Sequence, residues 1–131
     1  MIIKKSKDLH TVPAPIEYFN GAVWLDYLSK NDGISCSVTQ VTFEPKARNN
    51  WHYHSVGQVL IITQGQGYVQ KKGEAKQHLS PGDIIIVHPQ ELHWHGATEH
   101  SIFSHTAIQL TNGVDAETIW LEAVTDHDYL S

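Results

Sequence analysis

The sequence predicts an all-β fold in which short strands form a sandwich or barrel. The apolar runs are short, and they recur at even intervals with Gly and Pro turns between them. Two of these runs, Val59–Ile62 and Ile84–Val87, are continuous and suit buried strands. In Thr39–Phe43 and His105–Gln109, alternate residues fit strands with one face turned into a barrel. A jelly-roll β-barrel accounts for all of these patterns.

Turn signals separate the predicted strands along the chain. Strands are predicted at residues 23–28, 34–43, 58–63, 68–70, 77–79, 84–87, 92–96 and 101–110. Turn residues fill the gaps at 30–33, 64–67, 71–74 and 80–83. Only the tail favours a helix, because Thr125 or Asp126 can cap a short helical turn that runs through Tyr129.

Length and composition indicate a single globular domain. A chain of 131 residues with 40% hydrophobic and 18% charged residues has the size and balance of one domain with one core. We divide it into an N-terminal arm (1–22), a barrel (23–110) and a C-terminal extension (111–131). The formal charge is −5 and no basic run exceeds two residues, which argues against a nucleic-acid partner.

The sequence also predicts a cytoplasmic protein with no membrane partner. Its apolar runs are too short to cross a bilayer, and residues 1–10 lack the apolar stretch of a signal peptide. Cys36 is the single cysteine, so no internal disulfide forms, and we expect it to be a small buried residue. Exposed edge strands need cover, so we expect a homodimer or larger assembly to which the Pro- and aromatic-rich stretch 11–28 contributes.

Two histidine pairs carry the functional signal. His52 and His54 are two residues apart, Gln58 follows four residues later, and His93 and His95 repeat the two-residue step. Residues at even spacing point to the same face of a strand. Because imidazole is the commonest metal-donor side chain, two such pairs facing each other predict a metal site with nitrogen ligands and one amide oxygen.

The residues around these histidines resemble the two cupin motifs. The run 46–65 keeps every spacing of the first motif, G-x5-H-x-H-x3-E-x6-G, with Lys46 at the first glycine position and Gln58 in place of the glutamate. The run 82–93 keeps the glycine-to-histidine offset of the second motif, with Pro89 shifted by one residue and the terminal Asn missing. The strand pattern fits this single-domain fold from about residue 23 to residue 110.

A narrower resemblance is to small bacterial single-domain cupins with a three-histidine, one-glutamine site. It rests on the segments 41–45, 51–54, 57–58, 93–96 and 120–126. Some members of that group are manganese-dependent hydroxynitrile lyases. The resemblance implies metal ligands at His52, His54, Gln58 and His93. It also implies that His95, His105 and Gln109 line the pocket as candidate catalytic residues, with Thr39 and Val41 as wall positions.

Neutral ligands determine which chemistry such a site favours. Three imidazoles and an amide leave a bound divalent ion with a net charge near +2, which favours anion binding and disfavours oxidation of the ion. This argument points to Lewis-acid chemistry. The expected cofactor is one divalent transition metal per chain, with Mn or Fe favoured, while Ni, Zn, Co and Cu also suit imidazole-rich sites.

Three functions remain open at the level of sequence. The first is a lyase of the hydroxynitrile-lyase type that acts on a small oxygenated molecule, with His95 or His105 as acid and base. The second is a metal-dependent dioxygenase that uses the same ligands. The third is a cupin that binds a small ligand without turning it over. A shared fold does not decide among them.

Overall fold

Two antiparallel β-sheets enclose the core in the computed structural model, which describes residues 1–111 and 116–131. Within that part of the chain, the first sheet has six strands. In spatial order they are β1 (Thr11–Pro13), β3 (Val23–Lys30), β4 (Cys36–Phe43), β12 (Phe103–Leu110), β7 (Gln58–Gly65) and β10 (Ile84–Val87).

The second sheet has seven strands among the same described residues. Five run in the order β13 (Thr118–Trp120), β6 (His52–His54), β11 (His93–Ala97), β5 (Arg48–Asn49) and β2 (Phe19–Asn20). The other two are β8 (Gly67–Lys71), which pairs with β11, and β9 (Gln77–Leu79), which pairs with β8. The predicted all-β jelly-roll fold is confirmed.

Most predicted strands are present with small changes at their ends. The strand predicted at 34–43 begins at Cys36, and the strand predicted at 101–110 begins at Phe103. The predicted break at 64–67 is shorter than expected, since β7 runs to Gly65 and β8 starts at Gly67. The predicted terminal helix is confirmed as α1 (Asp126–Leu130), whose N-cap residue Thr125 accepts a hydrogen bond from the backbone N–H of Asp128.

Five short strands are absent from the predicted set, because two or three residues are too few to show a hydrophobic period. They are β1, β2, β5, β6 and β13, of which β6 was implied only by the even spacing of His52 and His54. Three of them come from the segments predicted as the arm and the extension: β1 pairs with β3, β2 pairs with β5, and β13 pairs with β6. Both ends of the chain therefore take part in the sheets.

The hydrophobic core lies between the two sheets and reaches the histidines, since the Phe43 ring lies 5.8 Å from that of His95 and 5.6 Å from that of His105. Phe43 and Phe103 are fully buried there, and Ile62, Leu79 and Ala97 pack in the same cluster. Close approach of β11 to β5 depends on Gly96, since a Cβ at this position would lie 2.5 Å from the carbonyl oxygen of Ala47. Cys36 is half-buried rather than buried as predicted.

The C-terminal segment covers the outer face of the second sheet. Trp51 and Trp94 are each one residue from an inward-facing histidine, so they point away from the barrel interior, where they pack against Val124 and Tyr129. The buried Arg48 anchors the segment, because its guanidinium donates to the carbonyl of Val124 at 2.8 Å. The structure describes no helix with the length and apolar character needed to span a bilayer within residues 1–111 and 116–131.

Candidate metal centre

Adjacent strands of the second sheet bring the histidine pairs together. His93 on β11 lies directly opposite His52 on β6 in the antiparallel register. His52 and His54 are both buried, while Tyr53 between them is half-buried, which is consistent with the shared face predicted for this pair. The spacing also placed Gln58 on the same strand, and this is wrong, since Gln58 begins β7 in the first sheet. His95 lies two residues further along β11 and is buried as well.

The imidazole rings form a close cluster. The ring centroid of His52 lies 4.3 Å from that of His93, 5.0 Å from that of His54 and 5.6 Å from that of His95. One nitrogen from each of His52, His93 and His95 can be chosen so that all three lie within 4.8 Å of one another. This three-histidine group can hold a metal ion.

Hydrogen bonds from Nδ1 to backbone carbonyls fix the orientation of two of these rings. The carbonyl oxygens of Asn50 and Glu91 lie 2.8 Å from Nδ1 of His52 and of His93, respectively. A carbonyl oxygen only accepts, so each Nδ1 carries the proton and each Nε2 keeps its lone pair. This is the tautomer that a metal-binding histidine needs.

Several polar atoms of the cluster are buried without a hydrogen-bond partner among the described residues. They are Nε2 of His54, Nε2 of His93 and Oε1 of Gln58. A buried polar atom without a partner costs about 1–3 kcal/mol, so three together require an explanation. Imidazole nitrogens and an amide oxygen are suitable donors for a divalent transition metal, and the residues therefore fit the predicted ion.

Burial keeps the histidines neutral. Desolvation, together with the nearby His93, lowers the pKa of His54 from its usual 6.5 to about 4. Desolvation also lowers the pKa of His93, and it lowers the pKa values of His52 and His95 well below the usual value. The neutral form is the one that donates a lone pair to a metal, so the site is ready for binding near neutral pH.

His95 and His105 form a buried pair beside the cluster. Nε2 of His105 lies 3.3 Å from Nδ1 of His95, and Nδ1 of His105 has no partner within the described part of the chain. Two tautomers satisfy the contact. If His95 donates, its Nε2 is free to bind a metal, whereas if His105 donates, the free acceptor is Nδ1 of His105.

Asn49 holds His95 in place. Its Oδ1 accepts the backbone N–H of His95 at 2.9 Å. Its Nδ2 lies 3.2 Å and 3.4 Å from the two ring nitrogens of His95. An atom nearly equidistant from both nitrogens cannot lie along either lone pair, so the Asn49 amide rests on the ring face and leaves the nitrogen lone pairs free.

A cavity of about 360 Å³ adjoins this cluster. Six of the predicted site residues line it: His52, His54, Gln58, His95, His105 and Gln109. His93 borders a different groove, on the side of β8 and β10. Thr39 and Val41 lie on the cavity wall, as the resemblance implied. Nε2 of Gln109 donates to the carbonyl of Gly57 at 3.1 Å, which holds its side chain at the wall.

Aromatic residues from both chain ends complete the cavity, and the sequence did not point to them. Trp120 of β13 stacks on Tyr18 with a centroid distance of 4.7 Å and lies 4.7 Å from the His52 ring. Phe19 and Tyr27 line the same cavity. In the sequence, the one hint of this wall was the resemblance of segment 120–126 to other small cupins, and that resemblance did not identify any residue of the cavity. His78, His88 and His100 are exposed and lie outside the cavity.

Comparisons with known proteins show the family. The Cupin_2 family model, described as a cupin domain, matches residues 39–107. The chain belongs to this family, and the resemblance inferred from its motifs is confirmed.

Two relatives match most of the chain. It is 39% identical to the (R)-mandelonitrile lyase of Granulicella tundricola, in an alignment that covers 98% of each protein. Its structure is similar to that of a cupin-like protein from Thermotoga maritima, with a TM-score of 0.83, 35% identity and 89% of each chain covered. The polyketide cyclase RemF from Streptomyces resistomycificus has a TM-score of 0.74 at 14% identity, covers 98% of this chain and 90% of its own, and supports the fold alone.

Proposed function

We propose that the protein is a metal-dependent lyase that cleaves a cyanohydrin into a carbonyl compound and cyanide. The observation that carries this proposal is the buried set of metal-donor atoms without a hydrogen-bond partner among the described residues. Nε2 of His54 and Oε1 of Gln58 belong to side chains that line the aromatic cavity, and the His93 ring, with its own free Nε2, lies 5.5 Å from the His54 ring. The similarity over nearly the whole chain to a protein named (R)-mandelonitrile lyase supports the same reaction.

The proposed metal ligands are His52, His54, Gln58 and His93, with Mn or Fe as the favoured ion. A divalent ion bound there supplies Lewis-acid stabilisation of the negative charge that develops on the substrate oxygen. All four side chains are neutral, so none of them offsets the positive charge that an incoming anion meets.

The His95–His105 pair is proposed to move the substrate proton. The hydroxyl proton passes to a free imidazole nitrogen of the pair, and the O–H electrons form the carbonyl double bond. The bond between the carbinol carbon and the nitrile carbon breaks, and its electron pair leaves with cyanide. The imidazolium then returns the proton to cyanide, so that atoms and charges balance.

The aromatic wall fits the organic part of the substrate. Tyr18, Phe19, Tyr27 and Trp120 contribute flat apolar surfaces to a cavity of about 360 Å³, which has room for one small aromatic molecule. The described residues that line this cavity include no lysine, arginine or carboxylate. We therefore propose an uncharged aromatic cyanohydrin, such as mandelonitrile, as the substrate to assay first.

One experiment separates the three functions. Metal-loaded and chelator-treated protein are mixed with mandelonitrile, with and without oxygen, while cyanide release and oxygen uptake are recorded. A lyase releases cyanide at the same rate in both atmospheres, and only when it is metal-loaded. Oxygen uptake without cyanide release would make the dioxygenase the better account. Binding without turnover of any assayed compound would leave a ligand-binding cupin.

A further inference from the structure

Asn50 lies where both ends of the chain approach the metal cluster. It follows β5 directly and precedes His52, the first residue of β6, by two positions. Its backbone carbonyl accepts a hydrogen bond from Nδ1 of His52 at 2.8 Å. The half-buried side chain of Asn50 has no part in the proposed reaction, so its contacts indicate a separate role.

The side-chain amide of Asn50 donates to both ends of the chain. Its Nδ2 lies 3.1 Å from the carbonyl oxygen of Glu17 in the N-terminal arm and 3.3 Å from that of Leu121 in the C-terminal extension. Both partners are carbonyl oxygens, which only accept, so the amide nitrogen with its two protons faces them. Among the side chains of residues 1–111 and 116–131, that of Asn50 alone forms hydrogen bonds to both segments.

Backbone contacts of the same short segment reinforce both bonds. The N–H of Asn50 donates to the carbonyl of Tyr18 at 2.8 Å. On the other side, the N–H of Leu121 donates to the carbonyl of Trp51 at 2.8 Å. Together with the carbonyl bond to His52, these contacts join the arm, the extension and a proposed metal ligand through residues 50 and 51.

The two segments that Asn50 joins carry the aromatic wall of the cavity. Tyr18 of the arm and Trp120 of the extension both line it, and their rings stack with a centroid distance of 4.7 Å and an interplanar angle of 9°. Glu17 and Leu121, which accept the two amide bonds, are the immediate neighbours of the stacked residues. The Asn50 amide therefore holds the backbone on both sides of the stack.

The strands that carry this wall are short. β2 has two residues and pairs with β5, and β13 has three residues and pairs with β6. Terminal segments of a domain are poorly ordered unless they are tied down. The Asn50 amide is such a tie, and it acts on both segments at once.

We propose that Asn50 is a positioning residue that sets the selectivity of the cavity for flat aromatic ligands. Its side-chain amide fixes Tyr18 and Trp120 relative to each other, and its carbonyl fixes this wall relative to His52. The gain from edge-to-face or offset stacking depends on fixed ring positions, whereas the gain from burying apolar surface does not. This role rests on the proposed function, in which an aromatic substrate occupies the cavity.

Benzyl alcohol and cyclohexylmethanol test this role as ligands, because their rings have the same size but only the first is flat and aromatic. Titrations of the Zn-loaded protein, followed by NMR because Zn²⁺ is diamagnetic, give both dissociation constants without any turnover. The wild type should bind benzyl alcohol more tightly. Asn50→Ala should lower the ratio of the two affinities about two- to tenfold. It should keep about one metal ion per chain, because its backbone carbonyl still accepts from Nδ1 of His52.

Two further variants separate the amide bonds from a general loss of stability. Asn50→Asp keeps the shape of the side chain but replaces both donor protons by lone pairs, so it should lower the affinity ratio as Asn50→Ala does. Gln70→Ala is the matched control, because the half-buried Gln70 also has two side-chain hydrogen bonds on the second sheet, to Glu74 and Trp94. Its affinity ratio should equal that of the wild type.

Spectra of the wild type test the same role without any substitution, so the test survives a variant that misfolds. Both side-chain amide protons of Asn50 should exchange slowly with solvent, and bound benzyl alcohol should give nuclear Overhauser contacts to Tyr18 and Trp120. Rapid exchange of these protons, absence of those contacts or an unchanged affinity ratio in folded Asn50→Ala overturns the role of Asn50. So does a wild type with no preference for benzyl alcohol. A wild type that shows this preference but releases no cyanide from mandelonitrile overturns the proposed lyase and leaves the role of Asn50 standing.

Discussion

The hydroxyl oxygen of Thr118 lies 3.0 Å from Nδ1 of His54, and this contact ties the C-terminal strand β13 to the histidine cluster. His52 and His93 are oriented by backbone carbonyls two residues before them. His54 is instead oriented by a side chain that is distant in sequence. The orientation of the His54 ring therefore depends on the Thr118 side chain, which a substitution can change while the backbone stays the same.

Thr118→Val should weaken metal binding about 10- to 100-fold, because the loss of such a supporting hydrogen bond typically costs that much. Valine keeps the shape of threonine but offers no oxygen to Nδ1 of His54. Thr118→Ser restores the hydroxyl and should bind metal as the wild type does. Competition with a chelator of known affinity measures all three proteins. Equal affinities for the Val and Ser variants would show that the contact does not position His54.

Gln58→Glu should keep the metal and weaken the binding of anions, since a carboxylate ligand lowers the net charge of the site by about one unit. The same change should make oxidation of the ion easier. Cyanide or carboxylate titrations of the loaded protein measure the first effect. Gln64→Glu adds the same charge at an exposed position on the same strand and serves as the control. Equal or tighter anion binding by Gln58→Glu would contradict the proposed role of Gln58.

The metal-free protein should lose stability as the pH falls from 7 to 5. The pKa of His54 is lowered to about 4 in the folded protein, whereas its usual value is 6.5, so the unfolded chain binds the proton first. The contribution of neutral His54 to the free energy of unfolding is therefore complete above about pH 6.5. It is lost as the pH falls toward the pKa of the folded protein, by about 1.4 kcal/mol per pH unit for each such histidine.

Urea unfolding of chelator-treated protein at several pH values measures this loss. His54→Gln should reduce the slope of stability against pH, because one buried titrating group is removed. Stability that is constant, or that rises, between pH 7 and pH 5 would disagree with burial of neutral histidines.

His105→Ala should lower cyanide release by at least 100-fold while leaving the metal content unchanged, because loss of a general base typically costs about 10²–10⁴ in rate. Rates and elemental analysis on the same sample separate catalysis from metal binding. A second variant, His95→Ala, tests whether His95 is a metal ligand. Loss of metal from His95→Ala would identify its imidazole as a ligand, as its place in the His52–His93–His95 group allows. Full activity of His105→Ala would exclude it as the proton acceptor.

The sequence predicted the central strands and the histidine cluster because both depend on local spacing. Even spacing placed His52 and His54 on one face, and the strand register brought His93 opposite His52. Continuous apolar runs also marked the positions of β7 and β10. The predicted burial of β10 is wrong, because it is an edge strand whose Ile84 and Ile86 are exposed.

The walls of the site could not be predicted in this way. Tyr18 and Trp120 are 102 positions apart, and nothing in either local sequence indicates that their rings stack. Thr118 reaches His54 through pairing of β13, a strand of three residues. Such contacts depend on how the chain ends fold over the barrel, which is a property of tertiary packing rather than of local pattern.

Elemental analysis of the wild type and of the His52→Ala, His54→Ala double variant tests the metal centre most directly. Both proteins are incubated with excess Mn or Fe and freed of unbound ion, and circular dichroism checks that the barrel has formed. We expect about one metal ion per wild-type chain and none in the folded double variant. A folded double variant that still carries one ion per chain would contradict the assignment of the centre to these histidines.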